Sequence, residues 1–287
     1  MLERWARPFS RLSNATARLM DALYRRLGRP GKLVQDFVNG SWLGHALHPV
    51  LVNVVVGGST VAVLFQILQW LGVADLRVAL LWVLGLTWLS GIAAIGSGVT
   101  DFKDTVAGDE RNLAGLHGLI NFVATLLLVG AFVSLAAGAD PLSGVLLLFG
   151  YAMLSVGAYI GGHVVFKYGY MVNRNAFASG KRATEFTAVL PVADLPEDRP
   201  VKAMLGLTAL VVVRRGDLVY ALKDTCSHAG GLLSGGTLAG DTIVCPLHAS
   251  AFRLTDGAVR HGPASTRQVA YLARINADQV EVQGPLP

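Results

Sequence analysis

Charged residues are scarce in this sequence. Asp, Glu, Lys and Arg make up 15% of its 287 residues, whereas about 25% is usual in soluble domains. The scarcity is local, because four stretches contain none of these residues: 37–74, 78–100, 112–139 and 141–166. Each stretch exceeds the ~20 residues with which a helix crosses a bilayer core. The composition therefore argues against a wholly soluble protein and predicts several membrane-spanning helices.

Cysteine is scarcer still, since Cys226 and Cys245 are the only two in the chain. A secreted domain stabilised by disulfides would usually have more than the one that two cysteines can form. Each cysteine also lies within three residues of a histidine. We therefore expect metal ligation and no disulfide. The first 40 residues lack a short apolar core followed by a small-residue cleavage site, so we expect no removed signal peptide. A nucleotide-binding glycine fingerprint is also missing, which argues against a reductase.

The net charge is +5, and the positions of the cations decide what it implies. Eight basic residues precede residue 44 and alternate with apolar ones, which predicts an amphipathic helix on an anionic membrane surface. A solvated basic tail that only sets the orientation is the alternative. In both cases the cations lie beside hydrophobic spans. The expected partner is therefore the lipid bilayer, and no nucleic acid is expected.

Four membrane helices are predicted, at 49–73, 77–100, 116–139 and 145–168. With the N-terminus inside, the basic residues before the first helix, in the middle loop and after the fourth all lie on one side. Arg77 stands alone on the other side. The positive-inside rule then predicts a multi-pass protein of the plasma or inner membrane, with both termini and the C-terminal domain cytoplasmic.

Beyond about residue 181 the composition returns to that of a soluble domain. Short strand-like runs are separated by turn signals such as Arg215-Gly216-Asp217 and Thr255-Asp256-Gly257, which predict a small antiparallel all-β domain. The fold class is thus a membrane α-helical four-helix bundle plus a small all-β domain. The predicted regions are a basic amphipathic segment at 1–44, the transmembrane domain at 45–170, a linker at 171–184 and the β domain at 185–287.

Two short motifs in the β domain combine thiols with imidazoles: Cys226-Ser227-His228 and Cys245-Pro246-Leu247-His248. Two cysteines and two histidines could hold one zinc ion or the two irons of a cluster. Zinc fingers pair like ligands, whereas each loop here supplies one of each kind. The motifs and the sequence around them, 211–264, resemble Rieske [2Fe-2S] ferredoxins, and the likeness extends over about 185–283. A zinc site or an empty site is the alternative.

The resemblance implies an antiparallel β sandwich with a cluster-binding subdomain. It implies that Cys226 and Cys245 hold one iron, and that His228 and His248 hold the outer, redox-active iron. It also implies a set of residues that shape and tune the cluster site: Gly230, Pro246 and Ser250. Phe252 stands where respiratory Rieske proteins have a tyrosine hydroxyl, which implies a low reduction potential among histidine-ligated clusters.

These features predict a membrane-anchored protein that carries single electrons between a membrane-side redox centre or quinone and a soluble redox partner protein. Only 39 residues follow His248, too few for the mononuclear iron domain of a ring-hydroxylating oxygenase. The chain is therefore expected to act within an oxidoreductase electron-transfer chain and not as an oxygenase on its own.

The membrane part, 44–170, resembles a family of predicted four-helix membrane proteins with no established activity, through segments such as LHPVLVNVVVGG and LHGLINFVATLL. Three histidines, His48, His117 and His163, fall at one level of the predicted bundle. They could ligate haem b, line a quinone pocket, or only bond helix ends. The alternative function is a membrane domain that binds haem or transports a solute, with the cluster as a redox sensor. A bundle that only anchors the β domain is a third interpretation.

Overall fold

A computed structural model describes residues 2–177 and 183–286. The described chain forms two compact units. The helical unit contains the residues up to 31 together with 46–170, and the β unit contains 32–45 and the residues after 170. Residues 32–45 therefore group with the β unit and not with the N-terminal segment that precedes them. Part of the predicted linker, 178–182, lies outside the described residues.

Within the described residues, the helical unit is built mainly from four long apolar helices. They follow a five-residue helix and an amphipathic helix whose last residues, 32–39, belong to the β unit. The helices are α1 (Leu2–Ala6), α2 (Ser10–Asn39), α3 (Leu47–Trp70), α4 (Arg77–Phe102), α5 (Asp109–Ala136) and α6 (Asp140–Tyr168). By length and composition α3, α4, α5 and α6 can each cross a membrane. The helical part of the predicted fold class is confirmed.

Two of these helices begin earlier than the hydrophobic pattern predicted. Asp109 and Glu110 occupy the first turn of α5, where negative charge is favourable at the positive end of the helix dipole. Asp140 lies in the first turn of α6 and has the same favourable interaction with the helix dipole. Pro141 follows it, at a position where no backbone N–H is needed. Helix ends that lie outside the apolar run are thus set by local electrostatics.

The four membrane helices pack as two hairpins. Gly72 and Gly138 adopt left-handed conformations, with φ of +68° and +81°, in the turns that join α3 to α4 and α5 to α6. Leu84, Leu128 and Leu147 are completely buried between the hairpins. Large apolar side chains remain exposed on the outside, as expected for helices that face lipid.

The N-terminal helices pack on one end of this bundle. The hydroxyl of Tyr24 in α2 hydrogen-bonds that of Thr100 in α4 at 2.8 Å, and Arg111 of α5 donates to Asn14 at 3.1 Å. Gly28 has φ +58° and interrupts α2. The first part of the basic segment is thus held by side-chain hydrogen bonds to the bundle.

The described residues of the β unit form ten strands: β1 (Ala183–Pro191), β2 (Val201–Leu205), β3 (Thr208–Arg215), β4 (Leu218–Lys223), β5 (Thr237–Ala239), β6 (Thr242–Val244), β7 (Ala251–Arg253), β8 (Val259–His261), β9 (Ala270–Asn276) and β10 (Gln279–Gly284). A six-stranded sheet has the order β1-β10-β9-β4-β3-β2, and a four-stranded sheet has the order β5-β6-β7-β8. All paired strands are antiparallel. The all-β part of the predicted fold class is confirmed.

Both cysteines lie in the apolar core of the β unit. They pack in one cluster with Leu222, Ile243 and Phe252. Cys226 follows β4, whereas Cys245 lies between β6 and β7. Each sheet therefore presents one of the two cysteine-bearing loops, and the core between them fixes where the loops meet.

Candidate metal centre

The first loop is closed by two backbone hydrogen bonds around Cys226. The N–H of Cys226 donates to the carbonyl of Gly231 at 2.8 Å, and the N–H of Gly230 donates to the carbonyl of Cys226 at 3.0 Å. Gly230 has φ +81°, a left-handed conformation that glycine adopts without cost. The predicted turn position thus has a conformational reason to be glycine.

The second loop repeats the pattern around Cys245. The N–H of Cys245 donates to the carbonyl of Ser250 at 2.8 Å, and the N–H of Ala249 donates back to the carbonyl of Cys245 at 3.0 Å. Ala249 is also left-handed, with φ +60°, although it has a Cβ. Pro246 is exposed within this turn. Two segments from different parts of the chain therefore present their ligands on equivalent backbones.

The two imidazoles face each other across the gap between the loops. The Nδ1 atoms of His228 and His248 lie 3.3 Å apart, and the ring planes are inclined by 77°. Two nitrogens bound at about 2.0–2.1 Å to one tetrahedral metal ion are roughly 3.3–3.4 Å apart. His228 is buried and His248 is half-buried. Both imidazoles could therefore bind the same metal ion.

The two thiols are free, buried and adjacent. Cys226 and Cys245 form no disulfide, and they are only 1% and 3% exposed. The two thiols are close enough to share a hydrogen bond, which lowers the pKa of Cys245 and raises that of Cys226. Two successive backbone N–H groups, two and three residues further along the chain, also face each sulfur. These donors favour thiolate, the form in which cysteine binds metals.

Close approach of the two loops requires glycine at one further position. A Cβ added to Gly231 would lie 2.8 Å from the sulfur of Cys245 and 2.9 Å from the Cβ of Leu247. Neither distance is possible without movement of the second loop. Gly231 therefore makes room for the metal-binding side of that loop.

Ser250 and Phe252, which follow the second motif, are both buried. The hydroxyl oxygen of Ser250 accepts the N–H of Ala264 at 3.2 Å, which leaves the hydroxyl hydrogen available to donate. Phe252 lies in the core cluster that contains both cysteines and has no polar group to offer. The predicted tuning role of Ser250 remains a prediction.

A buried glutamine supports the first loop from behind, and the motif gave no sign of it. Gln268 is completely buried and donates to the carbonyls of Lys223 and Thr225 at 2.5 and 2.7 Å. Its amide oxygen accepts the N–H of Ser227 at 3.0 Å and the side-chain amide of Asn175 at 3.1 Å. A supporting amide side chain has no fixed sequence distance from the metal ligands, so only the tertiary structure identifies Gln268 as part of the site.

The three membrane histidines, which we predicted to share one level of the bundle, have different partners. The rings of His48 and His117 have centroids 6.2 Å apart. His163 has its Nε2 atom 3.4 Å from a carboxylate oxygen of Glu3 in α1, and Lys167 contacts the same oxygen. The structure thus brings two of the three histidines together and gives the third an acidic partner.

Comparisons with known proteins match both units. Residues 185–276 match the Rieske [2Fe-2S] domain family, and residues 44–174 match the predicted membrane protein family DUF2231. The chain is 38% identical over 80 residues to ferredoxin CarAc of Metapseudomonas resinovorans, which covers 28% of this chain and 75% of that protein. It is 33% identical over 91 residues to the anthranilate 1,2-dioxygenase ferredoxin subunit of Burkholderia cepacia, covering 32% and 84%.

Among solved structures, the ferredoxin of carbazole 1,9a-dioxygenase from Nocardioides aromaticivorans IC177 matches with 28% identity and a TM-score of 0.34, over 35% of this chain and 99% of that one. The family match supports a [2Fe-2S] cluster in the β unit. It gives no support for haem b.

Proposed function

Because the chain belongs to the Rieske [2Fe-2S] family, we propose that its β unit holds a [2Fe-2S] cluster and that the protein is a membrane-anchored carrier of single electrons. The observation that carries this proposal is the 3.3 Å separation of the Nδ1 atoms of His228 and His248, beside two buried free thiols. One zinc ion would use the same four ligands, so the experiment below counts both metals.

In this proposal the two kinds of ligand have different positions and tasks. Cys226 and Cys245 hold the inner iron in the apolar core, whereas His228 and His248 hold the outer iron. A [2Fe-2S] cluster bound there supplies one-electron oxidation and reduction. The backbone N–H groups that face the sulfurs stabilise thiolate charge. The half-buried ring of His248 gives a partner protein the shortest approach.

Electron paramagnetic resonance of dithionite-reduced full-length protein in detergent tests the cluster. We expect an averaged g value below that of clusters ligated only by cysteine, with two non-haem irons per chain and no zinc in their place. His248→Ala should abolish the signal, whereas His261→Ala, a histidine of the same unit outside the motifs, should retain it. One zinc per chain without iron, or the g value of an all-cysteine cluster, would refute the assignment.

We also propose that the four apolar helices hold this carrier in a plasma or inner membrane, with both termini and the β unit in the cytoplasm. The chain is related to the ferredoxin subunit of a dioxygenase, which supports a soluble redox partner protein at one end of the electron transfer. A membrane-side redox centre or a quinone is proposed on the other. Residues 71–76, between α3 and α4, would then lie on the far side of the membrane.

Reporter fusions test this orientation. Green fluorescent protein at the C-terminus should fluoresce, and alkaline phosphatase at the same position should be inactive. Alkaline phosphatase inserted after Val73 should be active. The opposite pattern would show that the β unit lies outside the cytoplasm, and it would leave the cluster assignment intact.

A further inference from the structure

His48, near the start of α3, is fixed against the neighbouring helix α4. Its Nδ1 atom lies 2.8 Å from the carbonyl oxygen of Ala94. A carbonyl can only accept a hydrogen bond, so Nδ1 carries the hydrogen and the Nε2 atom of the neutral ring keeps a lone pair. The ring lies against Gly98, where an added Cβ would be 2.8 Å from its Cε1 atom.

His117 of α5 repeats this arrangement with α6. Its Nδ1 atom lies 2.8 Å from the carbonyl oxygen of Gly157, which favours the same tautomer. The side-chain amide nitrogen of Asn121 lies 3.1 Å from this Nδ1 atom and donates to the backbone carbonyl of His117 at 2.7 Å. A Cβ added to Gly161 would lie 2.7 Å from its Cε1 atom. In both hairpins the glycine under the ring therefore lies four residues after the residue whose carbonyl accepts. The hairpins α3–α4 and α5–α6 thus present an imidazole in the same way.

These two imidazoles meet inside the helical unit. Their centroids are 6.2 Å apart and their planes are inclined by 83°. Two imidazoles in line on opposite sides of one metal ion, with metal–nitrogen bonds of about 2.0–2.1 Å, have centroids roughly 6.5 Å apart. The observed separation is close to this value. No hydrogen bond to either Nε2 atom is found within the described part of the chain.

We propose that the Nε2 atoms of His48 and His117 bind one transition-metal centre from opposite sides, as a second metal site that is independent of the [2Fe-2S] cluster. A hydrogen bond to a carbonyl from the other ring nitrogen is the usual support of a metal-bound histidine, and both rings have it. Imidazole suits iron, copper and zinc.

The number of protein ligands limits which metal centres this site can bind. At this site the protein offers two imidazole ligands, those of His48 and His117. A metal centre bound here must therefore either be stable with two ligands, as copper(I) is, or carry further ligands of its own, as haem iron does. A quinone fits less well, because its carbonyl groups need a donor and an Nε2 atom without hydrogen offers none.

The test uses the full-length chain in detergent, incubated anaerobically with copper(I), zinc or haemin and then separated from unbound metal. Copper and zinc are counted by mass spectrometry, and haem is counted as its pyridine complex, so that cluster iron does not contribute. We expect about one centre per chain. His48→Asn and His117→Asn keep an N–H near the Nδ1 position but lack Nε2, and they should each lower the bound centre at least tenfold.

His163→Asn, the same substitution in the same bundle, is the control and should retain the centre. Spectra of the unaltered protein decide the question even if a variant fails to fold, because two imidazole nitrogens should couple to low-spin haem iron, or to copper(II) once the bound copper(I) has been oxidised with ferricyanide. An oxidised copper or haem centre without this coupling, or no binding of any of the three probes, would overturn the site. The cluster signal should be unchanged in His48→Asn, so failure here and failure of the proposed electron carrier give different results.

Discussion

Gln268 holds the backbone on both sides of Cys226. Its amide nitrogen donates to the carbonyl of Thr225 at 2.7 Å, and its amide oxygen accepts the N–H of Ser227 at 3.0 Å. Because Gln268 is completely buried, no water can replace these bonds. The position of the first cysteine ligand thus depends on a side chain that does not touch a metal.

Replacing this glutamine by a side chain of similar shape tests that dependence. Gln268→Met removes the four hydrogen bonds and leaves buried backbone groups unpaired, so we expect a loss of about 3 kcal/mol or more in stability, with a lower cluster content. The measurement is the midpoint at which the visible circular dichroism of the cluster disappears on heating.

Gln283→Met, in a more exposed position on β10, is the control for the previous substitution and should change the midpoint little. Equal effects of the two substitutions would show that Gln268 is not a special support of the loop.

The two left-handed turn residues of the metal loops allow a matched pair of substitutions. An L-residue in this conformation costs about 1–2 kcal/mol relative to glycine. Gly230→Ala should therefore destabilise the β unit by about 1 kcal/mol, since its added Cβ would meet no atom closer than 3.9 Å. Ala249→Gly should stabilise it by up to about 1 kcal/mol, because part of the gain is lost to the more flexible unfolded chain.

Thermal denaturation of the two full-length variants, followed by the same visible signal, checks this pair. Midpoints that shift in the same direction would contradict a conformational origin. We expect a different effect from Gly231→Ala. Its added Cβ would lie 2.8 Å from the sulfur of Cys245, so this substitution should lower the cluster content as well as the stability.

Asp256 gives the β unit a pH-dependent contribution. Its hydrogen bond with Arg253 lowers the pKa of the carboxyl group to about 2, from about 3.9 in an unfolded chain. The folded state thus favours the ionised form, so the contribution is complete above about pH 5 and is lost as the pH falls towards 2. The pair is partly exposed, and we expect only about 0.5–1 kcal/mol from it.

Asp256→Asn should therefore destabilise the protein at pH 7, and the difference from the unaltered chain should roughly halve near pH 3. Denaturant unfolding at several pH values measures it. Asp241→Asn is the control, because that carboxylate is more exposed and reaches Arg260 only at 3.7 Å. A difference that stays constant down to pH 3 would refute the assignment to this ion pair.

Large parts of this structure could be predicted because they follow from periodic or local signals. Gaps between charges located the four membrane helices, and turn residues such as Gly216 located the hairpins of the β unit. The metal motifs bring together the four residues that the structure also places side by side. These signals are strong because burial in lipid and metal ligation each restrict residue type over short spacings.

The parts that could not be predicted depend on contacts between distant segments. Gln268 lies far from the motif that it supports, and the hydrogen bonds of an amide obey no sequence spacing. The three membrane histidines were placed at one level by helix length alone. Only tertiary packing could show that His48 and His117 meet and that His163 instead contacts Glu3.

The segment 32–45 is attached to the β unit mainly through Asp36. Its carboxylate accepts the N–H of Gly262 at 2.9 Å and lies 2.7 Å from Nδ1 of His261. The hydroxyl of Ser41 adds a weaker bond to the carbonyl of Gly262 at 3.3 Å. Since Gly262 lies close to the backbone of Ser250, this attachment reaches the back of the second metal loop.

Asp36→Ala should release the segment without unfolding the β unit. Because the lost bonds are partly exposed, we expect a local loss of about 1 kcal/mol, which is roughly fivefold faster hydrogen exchange over residues 33–45 and around Gly262. Hydrogen-exchange mass spectrometry of the full-length protein measures this. Asp21→Ala removes an ion pair with Arg25 in the first part of α2 and should leave both regions unchanged. Exchange that rises equally in the two variants would mean that Asp36 does not anchor the segment.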